Sequence, residues 1–278
     1  MSESNLTYFL HIPKTAGTSL AEYLLEVGGP ESVPPPMLWD HLVKGHFTVT
    51  PQTRIIIGHF GGLLPLWLRQ WPRIITILRD PVARALSHYN HVQREPGHPW
   101  HTEASTLSLI QYCEHPIFRR SVENIQSRQL ASLAFTLALL PTAPERVGQE
   151  PLGNVSIAFE DSLFSLDRAG GLLEAAIHAV RVIDAVGIAE AHDSSLQLFA
   201  RKLNWPEPVG EYRKNLSTPG QKKMGSLPPQ ELAVLTSLNE VDIRLYQFAL
   251  KRFHEDCHGN GIELDTSFHE WTEQFKAA

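Results

Sequence analysis

Only two cysteines, Cys113 and Cys257, occur in 278 residues, and they stand far apart. That scarcity excludes a disulfide framework and a cysteine-rich zinc site. Long apolar runs are missing too. The longest, Leu130 to Leu140, contains Ser132 and Thr136, stops at Pro141 and is too short to span a bilayer. Positive charge is in deficit, with 24 lysines and arginines against 30 acidic residues and a formal net charge of −6. A general nucleic-acid binder would carry a basic face, so that class is disfavoured. There is no internal repeat and no low-complexity tract. The opening residues, MSESN, lack the basic side chains of a secretory signal. Together with thiols suited to a reducing compartment, these absences lead to the expectation of a soluble cytoplasmic protein with no membrane span.

Apolar residues make up 42% of the chain and charged ones 19%, a globular composition. Apolar runs bounded by turn residues read as five strands: Leu6 to Ile12, Arg54 to Ile57, Arg73 to Leu78, Asn154 to Phe159 and Ala185 to Ala189. Helical patterns fall between and after them, at Thr18 to Val27, Pro81 to about Arg94, Ser105 to Glu114, Arg120 to Leu140, Gly171 to Ile183 and His192 to Leu203. A last helix runs from Glu231 to Glu255 with a break near Asn239. This alternation predicts an α/β fold with a central, mainly parallel five-stranded sheet. The length fits one domain over residues 1–278 with a helical insert over about 95–151. Ligands on such sheets bind beyond the carboxyl ends of the strands.

Two segments at predicted strand ends carry chemistry. The first, His11-Ile12-Pro13-Lys14-Thr15-Ala16-Gly17-Thr18-Ser19, joins a strand to a helix. Small residues let backbone N–H groups face an anion, Thr18 and Ser19 offer hydroxyls that could cap the helix, and the helix terminus adds partial positive charge. It is not a Walker A loop, because Lys14 precedes the glycine and the first glycine of that signature is absent. The second is Arg79-Asp80-Pro81-Val82-Ala83-Arg84-Ala85-Leu86-Ser87. A nucleoside triphosphatase places a carboxylate at such a strand end to organise Mg²⁺. Here Arg79 stands first, and its fork suits a phosphate directly. A structural Arg79–Asp80 ion pair is the competing reading. Residues 69–84 carry a local charge of +3, as do residues 211–223 with Arg213, Lys214, Lys222 and Lys223.

Together these strings are similar to those of the sulfotransferases that use 3′-phosphoadenosine-5′-phosphosulfate (PAPS). PKTAGTS resembles their 5′-phosphosulfate loop and LRDPVARALSHY their 3′-phosphate motif. Among the branches, the likeness is to the group of heparan sulfate 2-O-sulfotransferase and its bacterial relatives. Weaker echoes lie at Val122 to Gln126, at Val186 to Glu190, at Tyr212 to Lys214 and at Asp242 to Tyr246. The resemblance implies a P-loop-like three-layer fold with PAPS as donor substrate. It implies Lys14, Thr15, Ala16, Gly17, Thr18 and Ser19 around the 5′-phosphosulfate, Arg79 and Ser87 on the 3′-phosphate, and Arg213 and Lys214 closing over the cofactor.

Sulfuryl transfer to an alcohol needs a base, and histidine titrates near neutrality. Of 14 histidines, His59 follows the second strand in a Gly58-His59-Phe60 turn, at the same sheet edge as the loop. It also resembles the Gly-His base motif of the 2-O group, which can carry a second histidine two residues earlier, where this chain has Ile57. His46 is the alternative base, and Lys14 the partner that neutralises the leaving group. The pairs His88/His91 and His98/His101 lack further ligands at standard spacing, so no metal is expected. Trp67, Trp71 and Trp100 read as packing residues that could also stack on a sugar. The expected acceptor bears a hydroxyl on a glycan, a glycolipid or a small metabolite. The competing readings are a non-catalytic adenosine-bisphosphate-binding protein and a P-loop kinase.

Overall fold

The computed structural model describes residues 6–35, 49–142, 170–210, 212 and 222–273. Among these, four short apolar runs form one sheet: β1 (Thr7–Leu10), β2 (Ile55–Gly58), β3 (Arg73–Leu78) and β4 (Ala185–Ile188). Every one of their residues except Arg73 is buried. Such unbroken burial, rather than alternation, is the signature of a strand covered on both faces. The order is β2-β1-β3-β4 and every pairing is parallel. The expected strand over Asn154 to Phe159 lies outside the described residues, so the sheet has four described strands where five are predicted.

The helices are α1 (Gly17–Gly28), α2 (Leu63–Leu68), α3 (Pro81–Arg94), α4 (His101–Ala104), α5 (Leu109–Glu114), α6 (Pro116–Arg119), α7 (Ile125–Leu139), α8 (Leu172–Val182), α9 (His192–Leu203), α10 (Pro229–Leu238), α11 (Glu240–Gly259) and α12 (Thr266–Glu273). Successive strand residues point to opposite faces. Phe9, Ile55, Ile57, Ile75 and Ile77 pack with Leu20, Leu24, Leu196 and Phe199 of α1 and α9. Tyr8, Leu10, Ile56, Ile74 and Val186 pack on the other face with Leu130, Leu133, Ala176, Val180, Leu245 and Phe253 of α7, α8 and α11. The result is three layers. Each fully buried aliphatic side chain contributes roughly 1.5–3 kcal/mol.

The expected insert does not behave as one unit. Its helix α7 belongs to the main core, with Leu130 and Leu133 against the sheet cluster. The short helices α4 to α6 instead build a satellite core, where Tyr112 and Phe118 meet Val82, Leu86 and Leu235. The predicted helix from Ser105 begins later, at Leu109, because Ser108 and Gln111 form a capping box there. The one expected from Arg120 starts at Ile125, after Asn124 takes a left-handed conformation (φ 44°). The last predicted helix is two, divided at Asn239. Trp67 and Trp71 pack on the main core and Trp100 on the satellite.

Candidate active site

All four strands run the same way, so their carboxyl ends share one edge. β1 leads to the loop 11–16, β2 to His59, β3 to Arg79 and β4 to Glu190. The loop is built by local geometry. Lys14 and Ala16 both have positive φ, 71° and 67°. The Thr15 hydroxyl, buried, donates to the Ile12 carbonyl at 2.9 Å. Thr15 therefore shapes the loop. α1 opens at Gly17 from Ala16 without a side-chain cap. The expectation that Thr18 or Ser19 caps the helix is thus not met: Thr18 faces solvent and Ser19 is buried one turn inside. Gly17 is required by space, since a Cβ there would stand 2.0 Å from the His11 ring.

Arg79 reaches the loop directly. Its Nη1 donates to the Lys14 carbonyl at 3.2 Å. The Asp80 side chain acts as a cap: its Oδ1 accepts from the Ala83 N–H at 2.7 Å at the start of α3. Burial pulls the Lys14 ammonium down to about 8, and the nearby Arg94 and Arg79 cations pull the same way. The Glu95 carboxylate opposes them, and the balance leaves a half-buried lysine with more positive than negative charge around it, which favours an anion. Ser87 lies half-buried on α3, two turns beyond the Asp80 cap.

His59 joins the same edge. The His11 N–H donates to the Gly58 carbonyl at 3.0 Å, which extends the β1–β2 pairing one step. The His11 carbonyl in turn receives a hydrogen bond from His59 Nδ1. A carbonyl only accepts, so Nδ1 carries the proton and Nε2 keeps its lone pair. The two rings lie 4.5 Å apart. Burial, together with the charges of His59 and Lys14, lowers His11 to about 3, so it is neutral beside His59. Burial lowers His59 as well, against the opposing pull of its bond to His11.

The turn that carries His59 is pinned from below and from the side. The Phe60 N–H donates to the Tyr8 hydroxyl at 3.2 Å. The Gly62 N–H donates to Ser132 Oγ at 2.7 Å, and Thr136 Oγ1 donates to the Gly62 carbonyl at 2.6 Å. Gly62 lets α7 approach this closely, since a Cβ would stand 2.1 Å from the Ser132 carbonyl oxygen. Ser132 and Thr136 are the residues that interrupt the longest apolar run. In sequence they read as blemishes, but in the fold they hold the turn.

Of the expected site residues, the structure brings Lys14, Gly17, Arg79 and His59 together and adds His11. Arg213, Lys214 and the alternative base His46 lie outside the described residues. Lys222 pairs with Glu231 at 2.5 Å. His88, His91 and His98 pack ring against ring, with His91 and His98 at 5.6 Å and His88 and His98 at 6.5 Å. Among the described residues no group of metal-ligating side chains gathers.

No protein-family model matches the chain. The chain is similar to heparan-sulfate 6-O-sulfotransferase 1 of Cricetulus griseus, at 24% identity over 310 aligned residues that cover 92% of this chain and 69% of that protein. It is similar to the Mus musculus protein of the same name at 24% identity over 310 residues, covering 92% of this chain and 67% of that protein. The expected likeness to the 2-O branch is not what these relatives support; they support the wider sulfotransferase family. The expectation of a cytoplasmic protein is overturned, because heparan-sulfate sulfotransferases are enzymes of the Golgi lumen. No described helix is long and apolar enough to cross a membrane. The chain resembles sulfotransferases along nearly its whole length.

Proposed function

We propose that this protein is a sulfotransferase that moves the sulfuryl group of PAPS to a hydroxyl on a carbohydrate. One observation carries the reading: an uncapped helix start with Lys14, an arginine bonded to its loop, and a histidine in a defined tautomer share one sheet edge. The similarity to heparan-sulfate 6-O-sulfotransferases supports it and makes a heparan-type glycan the first acceptor to try. The site fits the donor. Gly17 lets backbone approach a phosphate, and the start of α1 offers N–H groups and positive dipole charge. Lys14 to Ser19 hold the 5′-phosphosulfate, while Arg79 and Ser87 hold the 3′-phosphate. Arg213 and Lys214 complete the cover.

In the reaction the acceptor oxygen attacks sulfur in line with the bridging oxygen of the donor. His59 Nε2 takes the hydroxyl proton as the new S–O bond forms. The old S–O bond breaks, and adenosine 3′,5′-bisphosphate leaves with the electron pair. Lys14 offsets the charge that develops on that oxygen. The His11 carbonyl stays bonded to the imidazolium through Nδ1, so the base does not rotate as its charge changes. The decisive experiment is transfer of labelled sulfate from PAPS to a panel of glycosaminoglycan, neutral glycan, glycolipid and small-alcohol acceptors, with His59→Ala and Lys14→Ala as controls. Transfer by the parent protein that both variants lose supports the reading. Absence of transfer to every acceptor, with no binding of adenosine 3′,5′-bisphosphate in calorimetry, overturns it.

A further inference from the structure

Arg79 lies one residue past β3, where the ladder with β4 has ended at Leu78 and Ile188. Its peptide is nevertheless bonded on both sides, as if a neighbouring strand were present. Gln126, in the first turn of α7, supplies both bonds. Its Oε1 accepts from the Arg79 N–H at 2.9 Å, and its Nε2 donates to the Arg79 carbonyl at 2.9 Å. The next amide, Asp80 N–H, donates to Glu190 Oε1 at 3.0 Å, and the Tyr246 hydroxyl donates to Glu190 Oε2 at 2.7 Å. Gln126 is itself anchored. It is 1% exposed, and its N–H donates to Asp242 Oδ2 at 3.1 Å. The Ser127 N–H and hydroxyl both donate to Asp242 Oδ1 at 2.6 Å. Three elements remote in sequence thus converge on the two peptides that launch one arginine.

We propose that Gln126 is a positioning residue for Arg79: by gripping the Arg79 peptide from both sides it sets the origin from which the guanidinium meets the 3′-phosphate of the nucleotide. The inference rests on the sulfotransferase reading above. An arginine side chain carries substantial rotamer entropy, so a loose backbone beneath it would dissipate the advantage of its planar fork. Serving a phosphate contact from a distance, Gln126 should matter only for ligands that have the phosphate in question.

The test is calorimetry of the full chain with two nucleotides, adenosine 3′,5′-bisphosphate and adenosine 5′-monophosphate, which lacks the 3′-phosphate. Gln126→Ala is expected to weaken the bisphosphate about tenfold, equivalent to about 1.4 kcal/mol, and to leave the monophosphate within about twofold. Gln126→Glu keeps the acceptor and removes the donor, so it serves as the test should the alanine variant fail to fold. In an Arg79→Ala background, Gln126→Glu should add nothing further, because the two residues act through one contact. Equal loss for both nucleotides, full additivity with Arg79→Ala, or no loss at all would overturn the positioning role. If the unmutated protein binds the two nucleotides alike, the sulfotransferase reading itself fails, and this inference with it.

Discussion

His59→Ala removes the proposed proton acceptor but leaves the loop, Lys14 and Arg79 in place. We expect kcat to fall about 10²–10⁴-fold while affinity for adenosine 3′,5′-bisphosphate changes little, a split read by steady-state kinetics beside calorimetry. The pH profile of kcat/KM reports the same two groups in the free enzyme. As the proposed base, His59 must be unprotonated, and burial holds it below its ordinary value, so the acid limb should fall below about 6.5. In its proposed role Lys14 must be protonated, and burial with its cationic neighbours has brought it to about 8, so activity should decline as pH rises through 8. Lys14→Arg should move that alkaline limb out of range, because arginine stays charged. A profile flat from pH 7 to 9 in the parent protein would remove Lys14 from the role. At Gly17 the constraint is steric. Gly17→Ala drives a methyl into the His11 ring and should cost about 1–3 kcal/mol in thermal unfolding, with a parallel loss of activity as His11 shifts under His59.

Among the elements, α7 joins the fold to the site. Its middle packs on the sheet through Leu130 and Leu133, its polar residues Ser132 and Thr136 hold the His59 turn, and its first turn holds Arg79 through Gln126. Its start is stabilised by a residue of another helix. Asp242 of α11 accepts from the N–H groups of Gln126 and Ser127, the usual work of a local cap. Asp242→Ala would leave those donors buried without acceptors, at a cost of at least about 1–3 kcal/mol, seen as a lower urea midpoint. Asp80→Asn, by contrast, keeps a capping oxygen for Ala83 and should leave stability within about 0.5 kcal/mol. Both aspartates occur in strings legible in the sequence, but only Asp80 could be read as a cap. It precedes its own helix, whereas Asp242 serves a helix more than a hundred residues away.

For the whole molecule, the buried and half-buried histidines set how stability depends on pH. Burial depresses His11, His59, His88, His91 and His98. The unfolded chain therefore takes up more protons than the folded one below about 6.5, and stability must fall as pH drops from there. For His11 the loss continues to about pH 3, its value in the fold. Burial raises Asp80, Glu190 and Asp242, which favours the folded state on acidification and opposes the trend at lower pH. We expect the melting temperature to decline between pH 6.5 and 5, before those carboxylates dominate. His88→Gln should flatten the slope, and a melting temperature that rises over this interval would contradict the assignment of these rings as buried and neutral.

The sequence by itself determined the four described strand cores and the parallel α/β class, and it singled out the loop around Lys14, the Arg79 motif and His59 as candidates. Each is a local matter of apolar runs, glycines and charge at a strand end. Tertiary structure alone decided who serves these residues. The order β2-β1-β3-β4 sets His11 between His59 and the loop, and Arg79 against the Lys14 carbonyl. His11 fixes the tautomer of His59 through a main-chain carbonyl, which every residue possesses and no side-chain pattern reveals. Gln126, Glu190 and Asp242 act on backbone amides across separations of 47 to 116 residues. Such bonds depend on how crossovers stack helices on a sheet, a nonlocal outcome of burying both faces.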